Sequence, residues 1–204
     1  MKRIHFRLLL LLICCCQVVV LSAQQRKKKI SFRKANTHSY FEDIPKGKAL
    51  VYGDFLQSVK LAGWGSTQTI RIINTDTEKG VFFTVKPHFS IKKENAFCIA
   101  LDPGLYAIYR YEWTKGYTTY SEPILKGIDA RDNFNKKRKS GEIQDEDLEF
   151  FLFKVEANTL NYLGTWNFES GIVSFIDEKE ETDAALQKKY KKLNFQNSMV
   201  NLPE

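Results

Sequence analysis

The chain has 204 residues, 43% of them hydrophobic and 27% charged, with a formal net charge of +7. That length suffices for one domain with a real core. The positive charge is confined to the N-terminal quarter: residues 1–23 carry three basic and no acidic side chains, residues 24–48 eight basic and two acidic, and residues 49–204 carry 20 Lys+Arg against 22 Asp+Glu. A nucleic-acid binder concentrates positive charge on its folded face, so this distribution argues against that class.

Lys2, Arg3 and Arg7 precede an apolar run from Leu8 to Leu21, broken only by Gln17, and Ser22-Ala23 follow. This is the three-part pattern of a secretory signal peptide, with cleavage expected before Gln24. The run is shorter than the roughly 20 residues a spanning helix needs, so no integral membrane span is expected after cleavage. An uncleaved N-terminal anchor is the alternative. Cys14, Cys15 and Cys16 lie inside the apolar run and leave with it. Cys98 then stands alone, so no internal disulfide is available to the mature fold. Cys98 is expected to be a buried small hydrophobe, with no reason in the sequence to set His38 or His88 beside it. Residues 24–48, "QQRKKKISFRKANTHSYFEDIPKGK", are expected to be a flexible basic tail. Its "RKKK" is read as solvated, with anionic lipid or glycan as the alternative contact.

From Ala49 onward the pattern is alternation broken by turn residues, which predicts strands. They are expected at Ala49–Val59, Thr69–Asn74, Val81–Lys86, Ala96–Leu101 and Leu105–Trp113. Asp102-Pro103-Gly104 is the turn before the last of these. "TTYSEPI" is a short strand that Pro123 assigns to an edge. Leu148–Ala157, "TLNYLGTWNF" and "GIVSFID" complete a meander. In the hairpin formed by the first two of these, Asn158-Thr159 is the expected turn. Phe151, Phe153 and Val155 share one face of its first strand. Strict alternation places Leu160, Tyr162, Gly164, Trp166 and Phe168 on one face of the second. Eight or nine strands at these intervals suit a sandwich or barrel.

Two segments differ. Lys126–Asp147 is polar, charged and without apolar period, and reads as a long exposed loop. Residues 178–193 read as a C-terminal helix. Asp177 is its expected cap with Glu180 placed for a capping box, and Leu186, Tyr190 and Leu193 form one apolar stripe that faces the sheet. A membrane-surface helix carries a wider and bulkier apolar face.

Candidate chemistry is sparse. His38, His88 and Cys98 have no zinc spacing, and "DEDLE" at Asp145–Glu149 lacks the ligand pattern of a calcium loop. There is no nucleophile elbow, and "AGWGST" lacks the lysine and spacing of a phosphate loop. Glu112 and Glu122 are the only carboxylates singled out for paired acid–base work, without support from spacing. No cofactor is indicated. The one notable constellation is aromatic: alternation puts Tyr109, Tyr111 and Trp113 on one strand face and Tyr106, Ile108 and Arg110 on the other. A row of rings can stack on sugars, or can simply fill and cover a sheet.

Two stretches, "ALDPGLYAIY" and "FFLFKVEANTLNYLGTW", pair a Pro-Gly-x-Tyr turn with a Tyr-Leu-Gly strand. The pairing resembles a class of uncharacterised exported bacterial domains, many of them lipoproteins, with an Ig-like or transthyretin-like β-sandwich. The resemblance covers roughly Ala49 to Asp177. It implies an Ig-like/transthyretin-like antiparallel β-sandwich, here with one C-terminal α-helix, and an envelope address; the class has no agreed activity. This chain lacks the lipidation cysteine.

The expectation is therefore a signal peptide (1–23), a tail (24–48) and one β-sandwich domain (49–204). Its place is the periplasm, the outer envelope or outside the cell. The expected role is a non-catalytic envelope protein that binds or supports another envelope protein or a glycan. A carbohydrate-binding module using Tyr109, Tyr111 and Trp113 is the second reading, and an enzyme with an unrecognised site the third.

Overall fold

A computed structural model describes residues 30–57, 67–86, 94–115 and 117–204. The expected signal peptide, His88 and "AGWGS" (62–66) lie outside them. Eleven strands are described: β1 (Phe32–Lys34), β2 (Ala49–Gln57), β3 (Gln68–Asn74), β4 (Lys79–Lys86), β5 (Glu94–Leu101), β6 (Gly104–Lys115), β7 (Thr118–Pro123), β8 (Leu152–Val155), β9 (Leu160–Phe168), β10 (Ser174–Ile176) and β11 (Met199–Val200). Two helices join them, α1 (Phe134–Ser140) and α2 (Lys179–Gln187).

The strands form two sheets. The first runs β1-β4-β3-β6-β7, and β8 shares with β7 the free edge of the long β6. The second runs β10-β9-β2-β5, and β11 shares with β10 the free edge of β9. The β-sandwich expected from the alternating pattern is present, but it is mixed rather than antiparallel. β1 pairs with β4, β2 with β9 and β11 with β9 in parallel.

Why β2 reads as almost continuously apolar is plain from its surroundings. Ala49, Val51 and Phe55 face the first sheet and join the inter-sheet core with Ile70, Ile72, Phe83 and Trp166. Leu50 and Tyr52 face the other way and pack with Tyr162, Leu186, Tyr190, Leu193 and Phe195. The second sheet is buried on both faces, which removes the polar alternation of a half-exposed strand. The stripe Leu186, Tyr190, Leu193 is buried as expected, although α2 itself stops at Gln187 rather than 193. Asp177 lies just outside the helix and accepts a hydrogen bond from the Lys179 N–H at 3.2 Å; no side-chain cap is made at Glu178. The Thr182 hydroxyl donates to Asp54 at 2.7 Å, and the Tyr52 hydroxyl meets Asp183 and Ser198 at 2.5 and 2.6 Å. These bonds give the Thr182 and Tyr52 hydroxyls their partners under the helix.

The two flanks of the sandwich are closed by segments outside the main meander. Residues 31–48, expected as a flexible tail, form a strap. Phe32–Lys34 adds β1 to the edge of the first sheet, and Thr37 then bridges Ile99 at the edge of the second. Asp102 holds the strap through ion pairs with Arg33 and Lys48. On the opposite flank the Asn201 N–H donates to Tyr162 of the second sheet at 2.8 Å. Leu152 of the first sheet exchanges two backbone bonds with Glu204, at 2.6 and 3.0 Å. The long loop Lys126–Asp147 is not structureless: it contains α1, whose Phe134 is buried.

Candidate functional site

Two β-bulges decide where the aromatic residues point. Across β3 and β6, Arg71 pairs with Arg110 but Ile72 pairs with Ile108, so Tyr109 is an extra residue on β6. An inserted residue reverses the alternation beyond it. Tyr106 and Ile108 are therefore core residues, and so is the side of Tyr111, which meets Phe55 at 5.9 Å and Phe168 at 5.2 Å from the other sheet. Tyr109 and Arg110 are left on the outer face. There Tyr109 stacks on Phe32 at 6.0 Å, and Arg110 lies 5.5 Å over the Tyr109 ring. The single face expected for Tyr109, Tyr111 and Trp113 does not exist: the bulge separates Tyr109 from the other two. It separates Tyr106 and Ile108 from Arg110 in the same way.

The second bulge lies in β9. Tyr52 pairs with Tyr162 but Asp54 pairs with Thr165, so Gly53 faces two residues, Leu163 and Gly164. Leu160 and Tyr162 pack under α2, whereas Leu163, Trp166 and Phe168 enter the inter-sheet core. The face expected to hold Leu160, Tyr162, Trp166 and Phe168 together is thus two faces. Gly164 makes the crossing at φ +84°, a region that favours glycine.

Beyond the β6 bulge a small grid of inward side chains forms. Gln68, Trp113 and Tyr120 make one cross-strand row on β3, β6 and β7; Ile70, Tyr111 and Glu122 make the next. Trp113 stacks between Tyr111 and Tyr120, with centroids 5.2 and 5.4 Å away and planes within 23° and 12°. The rings therefore partly cover one another's faces instead of tiling a flat platform. From this grid Gln68, Trp113, Tyr111 and Glu122, together with Ile124 and Leu125, Arg131, and Phe168 and Val173 from the β9–β10 segment, line a cavity of about 170 Å³. Its lining runs from β7 and residues 124–131 on one side to residues 168–173, just before β10, on the other.

The cavity walls are mostly apolar, with three polar groups of note. Gln68 is 5% exposed, and its Oε1 has no hydrogen-bond partner among the described residues. The Tyr111 hydroxyl is held protonated above its ordinary range, first by burial and then by the Glu122 charge. Burial also raises the Glu122 carboxyl; the Arg131 guanidinium opposes that shift and Asp129 adds to it. Asp129 in turn accepts from the Arg131 backbone N–H at 2.9 Å and lies 3.6 Å from its guanidinium.

The other candidates fall elsewhere. Glu112 is on the outer face, paired with Arg71 at 2.8 Å, while Glu122 faces inward from the adjacent strand; the sheet stands between them. They do not form a carboxylate pair. His38 and Cys98, which nothing in the sequence sets side by side, are joined through the backbone: the His38 backbone N–H donates to the Cys98 carbonyl at 2.9 Å. The His38 ring stacks on Tyr190 at 6.0 Å, and the Cys98 sulfur is in hydrogen-bond contact with the Tyr190 hydroxyl. Burial pushes the Cys98 thiol up to about 12, which keeps it protonated and inert. No group of three or more His, Cys, Asp or Glu is placed to hold a metal among the described residues. Nor is any described helix long and apolar enough to cross a membrane.

Nothing in "STQTIRIIN" marks the Gln68 amide as enclosed; its burial comes from the residues that close around it. No family model, curated protein or solved structure matches this chain.

Proposed function

We propose that this chain is an exported, non-catalytic binding protein of the cell envelope, and that its recognition element is the aromatic-walled cavity between the sheets. The observation that carries the reading is the buried Gln68 amide, whose Oε1 has no partner among the described residues and lines a cavity of about 170 Å³. Cavities of roughly 150 Å³ accept a benzene-sized ring, and a buried unsatisfied acceptor is a standing cost that a bound donor removes. The cavity thus suits a single ring or side-chain-sized group of a larger envelope component. The export reading rests on the three-part N-terminal pattern and the family reading on the two sequence motifs.

The non-catalytic reading is supported by chemistry that the fold keeps apart or sealed. Glu112 and Glu122 look to opposite faces of one sheet, and Cys98 is a protonated, buried thiol. A sugar platform built from Tyr109, Tyr111 and Trp113 is disfavoured, because Tyr109 is on the outer face and Trp113 is stacked on both sides.

Two measurements test the proposal. Mass spectrometry of protein recovered from the envelope or medium should show an N-terminus at or near Gln24; an intact Met1 in the cytoplasmic fraction would overturn export. A one-ring fragment screen read by amide and indole NMR should move the Gln68, Tyr111, Trp113 and Glu122 signals together. Hits that map only elsewhere on the surface would remove the cavity as the binding site.

A further inference from the structure

The polar groups of the cavity also indicate what kind of ligand it takes. We propose that the cavity receives the protonated amine of a small apolar ligand, with the ammonium group directed to Glu122 and the apolar body against Trp113 and Tyr111. This rests on the reading of the cavity as the binding site.

The Gln68 Oε1 is an acceptor with no hydrogen-bond partner among the described residues, and the half-buried Glu122 carboxyl lines the same cavity. They flank the aromatic pair on the cross-strand grid, Gln68 beside Trp113 and Glu122 beside Tyr111. A ligand that satisfies them must donate. Among the described residues the charged ones lining the cavity are Glu122 and Arg131, and Asp129 already engages Arg131 through its side chain. The three together carry one net negative charge. An ammonium group restores neutrality, whereas a carboxylate adds a second uncompensated charge in a partly desolvated space. Ile124, Leu125 and Val173 leave no partners for a ring of hydroxyls, so a polyol would bury unmet donors against them. The volume admits a single ring with a short side arm.

The test uses three probes of one shape on the purified full chain: phenethylammonium, 2-phenylethanol and phenylacetate. Affinities are read from the Trp113 indole N–H and the Gln68 side-chain amide signals. The expected order is amine over alcohol by roughly tenfold or more, with the carboxylate weakest. Glu122→Gln, checked for an unchanged melting temperature, should erase the amine's advantage and leave the alcohol's affinity in place. Ile124→Phe, which fills the cavity, should weaken all three. If the alcohol or the carboxylate matches the amine, or if Glu122→Gln keeps the amine's advantage, the ammonium assignment is overturned while the cavity stands as a binding site. If none of the three moves the Trp113 and Gln68 signals at low-millimolar concentration, the assignment and the cavity reading fall together.

Discussion

Gly53 lies directly under the carbonyl oxygen of Gly164. A β-carbon at position 53 would stand 2.3 Å from that oxygen and 3.1 Å from the Phe97 ring. The obstacle is backbone, which cannot swing aside like a side chain. The β9 bulge and the glycine beneath it are therefore one device: the extra residue bends β9 into space that only a bare Cα leaves open. Gly53→Ala is expected to destabilise the fold by about 2–3 kcal/mol. Urea unfolding checks this. A midpoint equal to wild type would mean that the two strands separate easily at the bulge.

Trp166 is the largest side chain of the inter-sheet core and is fully buried. It meets Phe83, Phe97 and Phe175 edge-on at 5.9, 5.2 and 5.3 Å, and its indole N–H donates to the Leu163 carbonyl at 2.9 Å. Trp166→Ala should cost about 3–5 kcal/mol. Trp166→Phe should cost less, since it keeps most of the contact and loses the hydrogen bond. A change well under about 1 kcal/mol for the alanine variant would contradict the buried ring.

The attachment of α2 depends on Tyr52. Its hydroxyl reaches Asp183 and Ser198, and Asp183 also pairs with Lys179. Burial first, then the bond to Asp183, keeps the phenol protonated far above the working pH range. Tyr52→Phe preserves the packing against Phe195 at 4.9 Å and removes the donor. The expected loss is about 1–2 kcal/mol, with hydrogen exchange of α2 amides accelerated more than that of the inter-sheet core. Uniform acceleration across the domain would show that α2 and the sheets open only together.

Asp102 links the strap to the β5–β6 turn. The Lys48 ammonium bonded to its carboxylate, opposed by partial desolvation and helped by the Arg33 charge, holds its pKa below the ordinary value. A group depressed in the folded state contributes stability above its unfolded value, near 4, and loses that contribution as pH falls through the lower folded value. The side chain is 45% exposed, so solvent and salt screen the pairs and the contribution is at most about 1 kcal/mol. Asp102→Asn should lower stability slightly at pH 7, less in high salt, and not at all in strong acid. A wild-type-to-variant difference that persists at pH 2 would refute the ionic account.

The alternation of "TIRIIN", "VFFTVK" and "AFCIAL" was enough to place β3, β4 and β5 within a residue or two, because the one irregularity in the β3–β4 pairing falls at its end, between Thr84 and Lys86. The Asn158 turn was equally legible: it adopts φ +60°, as the residue type suggests. What alternation could not carry was its own interruption. Around Tyr109 and around Leu163-Gly164 most positions are aromatic, aliphatic or glycine, Arg110 and Thr165 being the nearest exceptions, so a one-residue shift of phase leaves little trace in the composition while it moves Tyr109 outside and separates Tyr162, under α2, from Trp166. β1 was hidden for another reason. "FRK" is short and basic, and its position comes from an edge strand more than 40 residues away, not from any local preference. Of the candidate site, Tyr111 and Trp113 were visible as aromatics, but Gln68, Glu122 and Arg131 acquire their meaning only from the enclosure that β7 and residues 124–131 complete.

The parallel contact of β2 with β9 has a kinetic consequence. Leu50 and Leu160 sit side by side in the middle of the second sheet, yet 110 positions separate them along the chain. Until that distant partner arrives, β2 can rest on β5 alone, with one edge of backbone groups open to any passing strand. Closing so large a loop comes late in folding, and sheets built this way form in milliseconds to seconds rather than microseconds. A chain delivered unfolded across a membrane would pass that interval with its most apolar strand half paired, the window in which a holding chaperone matters most.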